Sequence, residues 1–207
     1  DGIVSTAGLV VGVAAATAER PAIFTAGFAG LAAGAVSMAL GEYVSVSTQR
    51  DTERALLHKE RQELVESPDA ELEELAQMYE QKGLRKDTAR LVAKELTEHD
   101  AFAAHVDVEL GIDPHELTNP WQAAGSSALS FTLGAVIPLV AILLPPESLR
   151  IPVTFFAVLI ALALTGSVSA ALGGARRGRA TLRVVLGGAL AMIVTYGIGQ
   201  LVGTSIA

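Results

Sequence analysis

Residues 33–66 read AGAVSMALGEYVSVSTQRDTERALLHKERQELVE, and the change of character within them decides the fold. The first part closes an apolar run that begins at residue 22. The last part is polar and rich in Glu, Arg, Leu and Gln. About 20 helical residues cross the ~30 Å of hydrocarbon in a bilayer. Residues 22–41 meet that length, and residues 47–66 follow with no Pro or Gly among them. One helix is therefore expected to leave a membrane and continue into water. Met38 and Glu42, one helical turn apart, stand near its exit.

Outward from this stretch, four more apolar runs appear at 2–18, 121–144, 151–175 and 184–207. The first is short. Pro138 lies inside the third of the five runs, where a membrane helix tolerates it with a kink. The chain of 207 residues is 51% hydrophobic, with 20 glycines and only 5% aromatics, a mix common in closely packed membrane helices. The expected fold is all-α: a polytopic membrane protein with five transmembrane helices and a helical insert between the second and third. The chain opens on Asp1, so a native start upstream is expected, and it shows no signal-peptide pattern. It has no cysteine, which excludes disulfides, zinc–thiolate sites, iron–sulfur clusters and cysteine nucleophiles.

Charge divides the chain as hydropathy does. Residues 51–118 hold 18 acids against 8 bases, a net −10, and all four histidines. The rest holds 7 bases against 4 acids, a net +3. An acidic block has the wrong sign for nucleic acid. Within it, Ser67-Pro68 starts a helix with Pro at its first position and Gly83 ends it. Asp87 is expected to cap a helix over 88–98, and a short helix over 100–110 stops at Gly111. Leu64, Leu72, Leu75, Leu84, Leu91, Val92, Leu96 and Phe102 supply a small core. The division is thus 1–50 (first two transmembrane helices), 51–118 (acidic helical domain) and 119–207 (last three transmembrane helices). With five spans, Arg50, Arg54, Arg176, Arg177, Arg179 and Arg183 flank one side of the membrane and Arg20 and Arg150 the other. The positive-inside bias places the acidic domain in the cytoplasm.

Two groups of residues carry candidate chemistry. The first two runs form a hairpin whose turn centres near Glu19-Arg20, so Asp1 and Met38 fall at equal distances from it and at about the same depth. Glu42 lies one turn nearer the cytoplasm. An acid within a span costs roughly 2.5–3.5 kcal/mol at mid-membrane, so such residues usually face an ion path or a partner. Two carboxylates and a thioether at one level suit a divalent transition metal. The same residues also fit a plainer account: an interfacial acid, a gap-filling methionine and a wet chain end.

The second group lies in the insert. Glu60 and Glu63 are i,i+3 on one helix, and Glu71 and Glu74 repeat that spacing across the Ser67-Pro68 bend. His105 and Glu109 are i,i+4 near the end of the last helix and complete a cage if the helices fold back. Oxygen ligands with one imidazole suit Fe2+, Mn2+, Co2+ or Zn2+. The alternative is a solvated acidic face, as expected for Glu66, Glu73, Glu80, Glu95 and Glu98. Enzyme motifs fail: the residues three before the histidines are Ala55, Leu96, Phe102 and Ile112, so no Glu-x-x-His di-iron motif exists. His115-Glu116 begins no H-E-x-x-H, and no P-loop is present. The loop GARRG, 174–178, is a topology signal.

DGIVSTAGLVVGVA (1–14), AGAVSMALGEYVSVSTQRD (33–51), the acidic insert ending in ELGID (109–113) and SFTLGAVIP (130–138) together resemble the vacuolar iron transporter family in its bacterial form, over essentially the whole chain. The resemblance implies a homodimeric, proton-coupled carrier of Fe2+, and often Mn2+, that exports metal from the cytoplasm. It implies a multi-pass protein of the bacterial plasma membrane, with Asp1 and Met38 lining a path near the dimer axis and Glu42 beside them. It implies metal capture by Glu60, Glu63, Glu71, Glu74 and Glu109. This chain departs from vacuolar relatives at Gly30, where they carry a second membrane glutamate, and at His105 and Val106, where relatives carry methionines. Two rivals stand beside the transporter: a membrane-anchored metal sensor or store that moves nothing, and a carrier of another solute.

Overall fold

A computed structural model describes residues 1–114 and 117–206. His115 and Glu116, tested above for a protease motif, and Ala207, which ends the fifth run, lie outside the described residues. The order is α1 (Gly2–Ala16), α2 (Arg20–Glu66), α3 (Pro68–Gln81), α4 (Lys86–His105) with a π-helical turn over Val106–Leu110, α5 (Pro120–Leu143), a 3₁₀ turn over Glu147–Leu149, α6 (Arg150–Leu172) and α7 (Arg177–Ile206). Among the described residues there is no strand.

Helix α2 is unbroken across its 47 residues, joining the apolar run to the polar one without a stop. Helices α2, α5, α6 and α7 are long and apolar enough to cross a membrane. Helix α1 is apolar but has 15 residues, or ~22 Å of rise, short of the hydrocarbon thickness. Among the described residues, four helices of spanning length therefore stand where five spans were expected. The protein is an integral membrane protein.

The chain divides into two compact units, residues 1–42 with 122–207, and residues 43–121. The first unit packs α1, α6 and α7 about Ile3, Ala7, Val11, Val158, Leu162 and Met192. A second cluster joins Val10, Ile23, Leu139 and Ile142. On α6 the buried stripe is Thr154, Val158, Leu162, Gly166 and Ala170. The other face of the same helix exposes Ile160 and Leu164 by more than half, an arrangement that suits lipid and not water. Helix α7 lies so close to α1 that a Cβ on Gly199 would collide with the Gly12 carbonyl oxygen. At the turns, Arg150 Nη1 donates to Ala18 O at 2.8 Å and Arg20 Nη2 donates to Pro145 O at 3.2 Å. Each arginine thereby ties its helix start to the neighbouring turn.

In the second unit, Ser67 is the N-cap of α3 and Pro68 its first residue, and α3 ends two residues before Gly83. Helix α4 begins at Lys86 with Arg85 as its cap, so Asp87 sits in the first turn and caps nothing, favourable there against the helix dipole. The short helix expected over 100–110 exists beyond a break at Asp100 (φ −160°, ψ 96°), whose Oδ1 accepts from the Ala103 N–H at 2.9 Å as an N-cap does. Gly111 ends it at φ +61°. The core is narrower than expected. Leu75 is buried, but Leu84 and Leu91 are exposed. Ala76, Ala89 and Ala93 are buried instead, and their short side chains let α3 and α4 close on each other. The Tyr43 and Trp121 rings, at the two ends of this unit, lie 4.7 Å apart.

Candidate metal sites

In the membrane unit, α1 presents Asp1, Ser5 and Leu9 one turn apart along one face, and α2 presents Gly30, Gly34, Ser37 and Met38. With Thr6 and Phe131 these residues line a pocket of about 280 Å³. Gly34 leaves room for the Phe131 ring against α2, since a Cβ there would collide with it. Gly30 leaves room for the tip of Leu9 in the same way. Asp1 and Met38, 37 positions apart in sequence, thus share one pocket. Ser5 Oγ donates to Asp1 Oδ1 at 2.7 Å, which fixes one carboxylate oxygen and leaves the other free to accept. Glu42 is exposed and is not among the residues lining this pocket. Gly30 does line it. The sequence reading passed over Ser5 and Thr6. The signal for Ser5 was its place one turn after Asp1 on the same face.

In the second unit, Glu60 of α2, Glu71 of α3 and His105 of α4 converge. Oxygens of the two carboxylates and an imidazole nitrogen lie within 4.8 Å of one another, and all three residues are buried. His105 Nδ1 is 3.0 Å from Glu60 Oε1, 3.7 Å from Glu71 Oε2 and 3.9 Å from Glu109 Oε2. The bend at Ser67-Pro68 turns α3 back on α2 and brings Glu71 to Glu60. The break at Asp100 redirects the end of α4 and carries His105 and Glu109. Glu63 instead holds Lys59 at 2.6 Å, and Glu74 is exposed. Val106, beside His105, is buried and offers no donor atom.

The electrostatics of this cluster are unfavourable as it stands. The Glu60 carboxyl is pushed up to about 7, first by burial and then by the Glu109, Glu71 and Glu63 carboxylates. The Glu71 carboxyl is also raised, by burial and by Glu74, with His105 pulling the other way. Glu60 Oε1 and both His105 ring nitrogens are buried without a well-aligned hydrogen bond; the 3.0 Å approach of Oε1 to Nδ1 lacks the angle of one. Buried polar atoms are nearly always partnered, and Glu60 Oε1 and His105 Nδ1, facing each other with Glu71 close by, form a group that could hold a metal ion. Two or three carboxylates and one imidazole suit Fe2+, Mn2+, Co2+ or Zn2+, and suit Ca2+ or Mg2+ less because of the nitrogen.

Comparison with known proteins agrees with the whole-chain pattern. The family described as VIT family matches residues 1–200. A protein named "Vacuolar iron transporter" from Acanthamoeba castellanii is 42% identical over 202 residues, covering 97% of this chain and 77% of that protein. "Vacuolar iron transporter homolog 5" of Oryza sativa is 38% identical over 202 residues, covering 97% of this chain and 75% of the relative. "Vacuolar iron transporter homolog 2" of Arabidopsis thaliana is 35% identical over 204 residues, covering 98% and 80%.

Proposed function

The chain belongs to the VIT family, and from that premise we propose that it is a transporter that moves Fe2+, and also Mn2+, out of the cytoplasm in exchange for protons. It is not an enzyme. The observation that carries this is the pocket in which a carboxylate of α1 meets a thioether of α2 among apolar helices. Asp1 and Met38 are the metal ligands of the membrane path. Carboxylate ligands must lose their protons to bind metal, so metal and protons compete for one site. An inward proton gradient then protonates Asp1 from the far side and releases the ion there.

Residues 51–118 form the cytoplasmic domain that collects the ion. Glu60, Glu71 and His105 hold it, Glu109 closes the site, and Glu63 and Glu74 line the approach. Glu42 stands between collection and pathway. The protein works as a homodimer with α1 as its fifth, short membrane helix, in a bacterial plasma membrane. What supports this reading is the family membership, the spanning lengths of four helices and the two donor clusters.

The test is flux. In liposomes with a pH-sensitive dye inside, Fe2+ or Mn2+ added outside should move protons, and Asp1→Ala or Met38→Ala should stop it. Proton movement that survives both changes overturns the membrane site. Metal binding without flux under any gradient favours the anchored sensor or store, which the buried cluster of the second unit would serve by itself.

A further inference from the structure

The pocket holds one more polar group, and it is unlike its neighbours. Thr6 is 2% exposed, lines the pocket with Asp1 and Met38, and its Oγ1 is buried with no hydrogen-bond partner. Threonines in the membrane helices usually return their hydroxyl to the carbonyl one turn back. Thr132, Thr154, Thr165, Thr195 and Thr204 of this chain do so, at 2.7–3.0 Å to Ala128, Arg150, Ala161, Ala191 and Gln200. Thr6 does not, although the Gly2 carbonyl stands one turn back on the same helix. A hydroxyl left unmade in an apolar setting costs roughly 1–3 kcal/mol. Valine has the same shape and would avoid that cost.

From this we infer that Thr6 Oγ1 is a ligand of the transported cation, the hard oxygen that sets Asp1 and Met38 to accept an ion of intermediate softness. The inference rests on the reading that this pocket carries metal. A carboxylate and a thioether alone weight the site toward softer ions; a neutral hydroxyl adds an oxygen without adding charge. It also binds no proton in exchange, so proton coupling remains with Asp1. Ser5 is a positioning residue: its hydroxyl donates to Asp1 Oδ1 and holds that carboxylate in place.

The experiment uses the full chain in proteoliposomes, with Mn2+ and Zn2+ as probes, and compares wild type with Thr6→Val, Thr6→Ser and Asp1→Ala. Thr6→Val should raise the half-saturating Mn2+ concentration about tenfold, the effect of losing one interaction of hydrogen-bond strength. It should raise that for Zn2+ less, tilting selectivity toward the softer ion. Thr6→Ser, which keeps the hydroxyl, should restore both values. Melting of the purified variants checks the fold, and Thr6→Ala replaces Thr6→Val if the latter is not folded. If Asp1→Ala abolishes flux while Thr6→Val matches wild type for both ions, the pocket stands and Thr6 is not a ligand. If Thr6→Ser fails as Thr6→Val does, the methyl group's packing matters and the inference falls. If Asp1→Ala transports like wild type, the pocket reading itself falls and the inference with it.

Discussion

Glu60 Oε1 lies 3.0 Å from His105 Nδ1, with both side chains buried and neither atom in a well-aligned hydrogen bond. Helices α2 and α4 bring them together from 45 positions apart in sequence. A site built this way should lose affinity on removal of either partner. Glu60→Gln and His105→Ala are expected to weaken Mn2+ binding to the purified chain at least about tenfold, a loss near 1.4 kcal/mol. Glu74→Gln, on an exposed side chain, should stay within about twofold. Calorimetric titration measures all three. Equal affinity in wild type and His105→Ala would remove the imidazole from the ligand set.

The raised Glu60 carboxyl makes this unit pH-sensitive. Its folded pKa of about 7 stands above the ordinary 4.5, so the folded state binds the proton more tightly than the unfolded state. Its contribution to stability is complete below 4.5 and is lost as pH rises through 7. Metal-free protein should therefore melt at a lower temperature at pH 8 than at pH 5.5, and Glu60→Gln should flatten that dependence. Added Mn2+ should restore the melting temperature at pH 8 and do little at pH 5.5, because the carboxyl must be ionised to bind it. A Glu60→Gln melting profile that keeps the wild-type pH dependence would show that another group is responsible.

These behaviours trace to features with different visibility in the sequence. The unbroken α2 was legible because residues 47–66 contain no stop signal. Ser67-Pro68 and Gly111 were legible because each residue type suits one backbone position. The break near residue 100 was legible as the boundary between the helices expected over 88–98 and 100–110; that the Asp100 Oδ1 caps the second by accepting from Ala103 was not. The core of the second unit was misjudged at Leu84 and Leu91. Hydrophobicity nominates leucine, but close approach of α3 and α4 is made by Ala76, Ala89 and Ala93. In the membrane unit the equal-depth count pointed to Asp1 and Met38, and both line one pocket. The same count could not reveal Thr6, whose distinction is a hydrogen bond it fails to make.

The two arginine ties at the helix turns should matter for stability more than for metal. Arg150 is 7% exposed and donates to Ala18 O, with its Nε unpartnered. Replacing it by methionine keeps the length of the stem but strands the carbonyl. The expected loss is about 1–3 kcal/mol, read as a fall of a few degrees in melting temperature for a chain of this size. Arg20, exposed and bonded at 3.2 Å, should cost less. Wild-type melting of Arg150→Met would show that the contact adds nothing to the fold.

Met38 and Glu42 sit one turn apart on α2, yet only Met38 lines the pocket with Asp1. That difference predicts different kinetic signatures. Met38→Leu keeps the volume and removes the thioether, so it should lower affinity for Fe2+ with the fold intact. Asp1→Asn keeps the shape and the bond from Ser5 but removes the titrating charge, so it should abolish metal-driven proton movement. Glu42→Gln, on an exposed side chain outside the pocket, should slow the maximal rate of entry and leave the pH dependence of flux as in wild type. Flux at several proton gradients separates these outcomes. If Glu42→Gln alone erased the coupling to protons, the exchanging carboxylate would be Glu42 and not Asp1, and the path would have to run along the exposed face of α2.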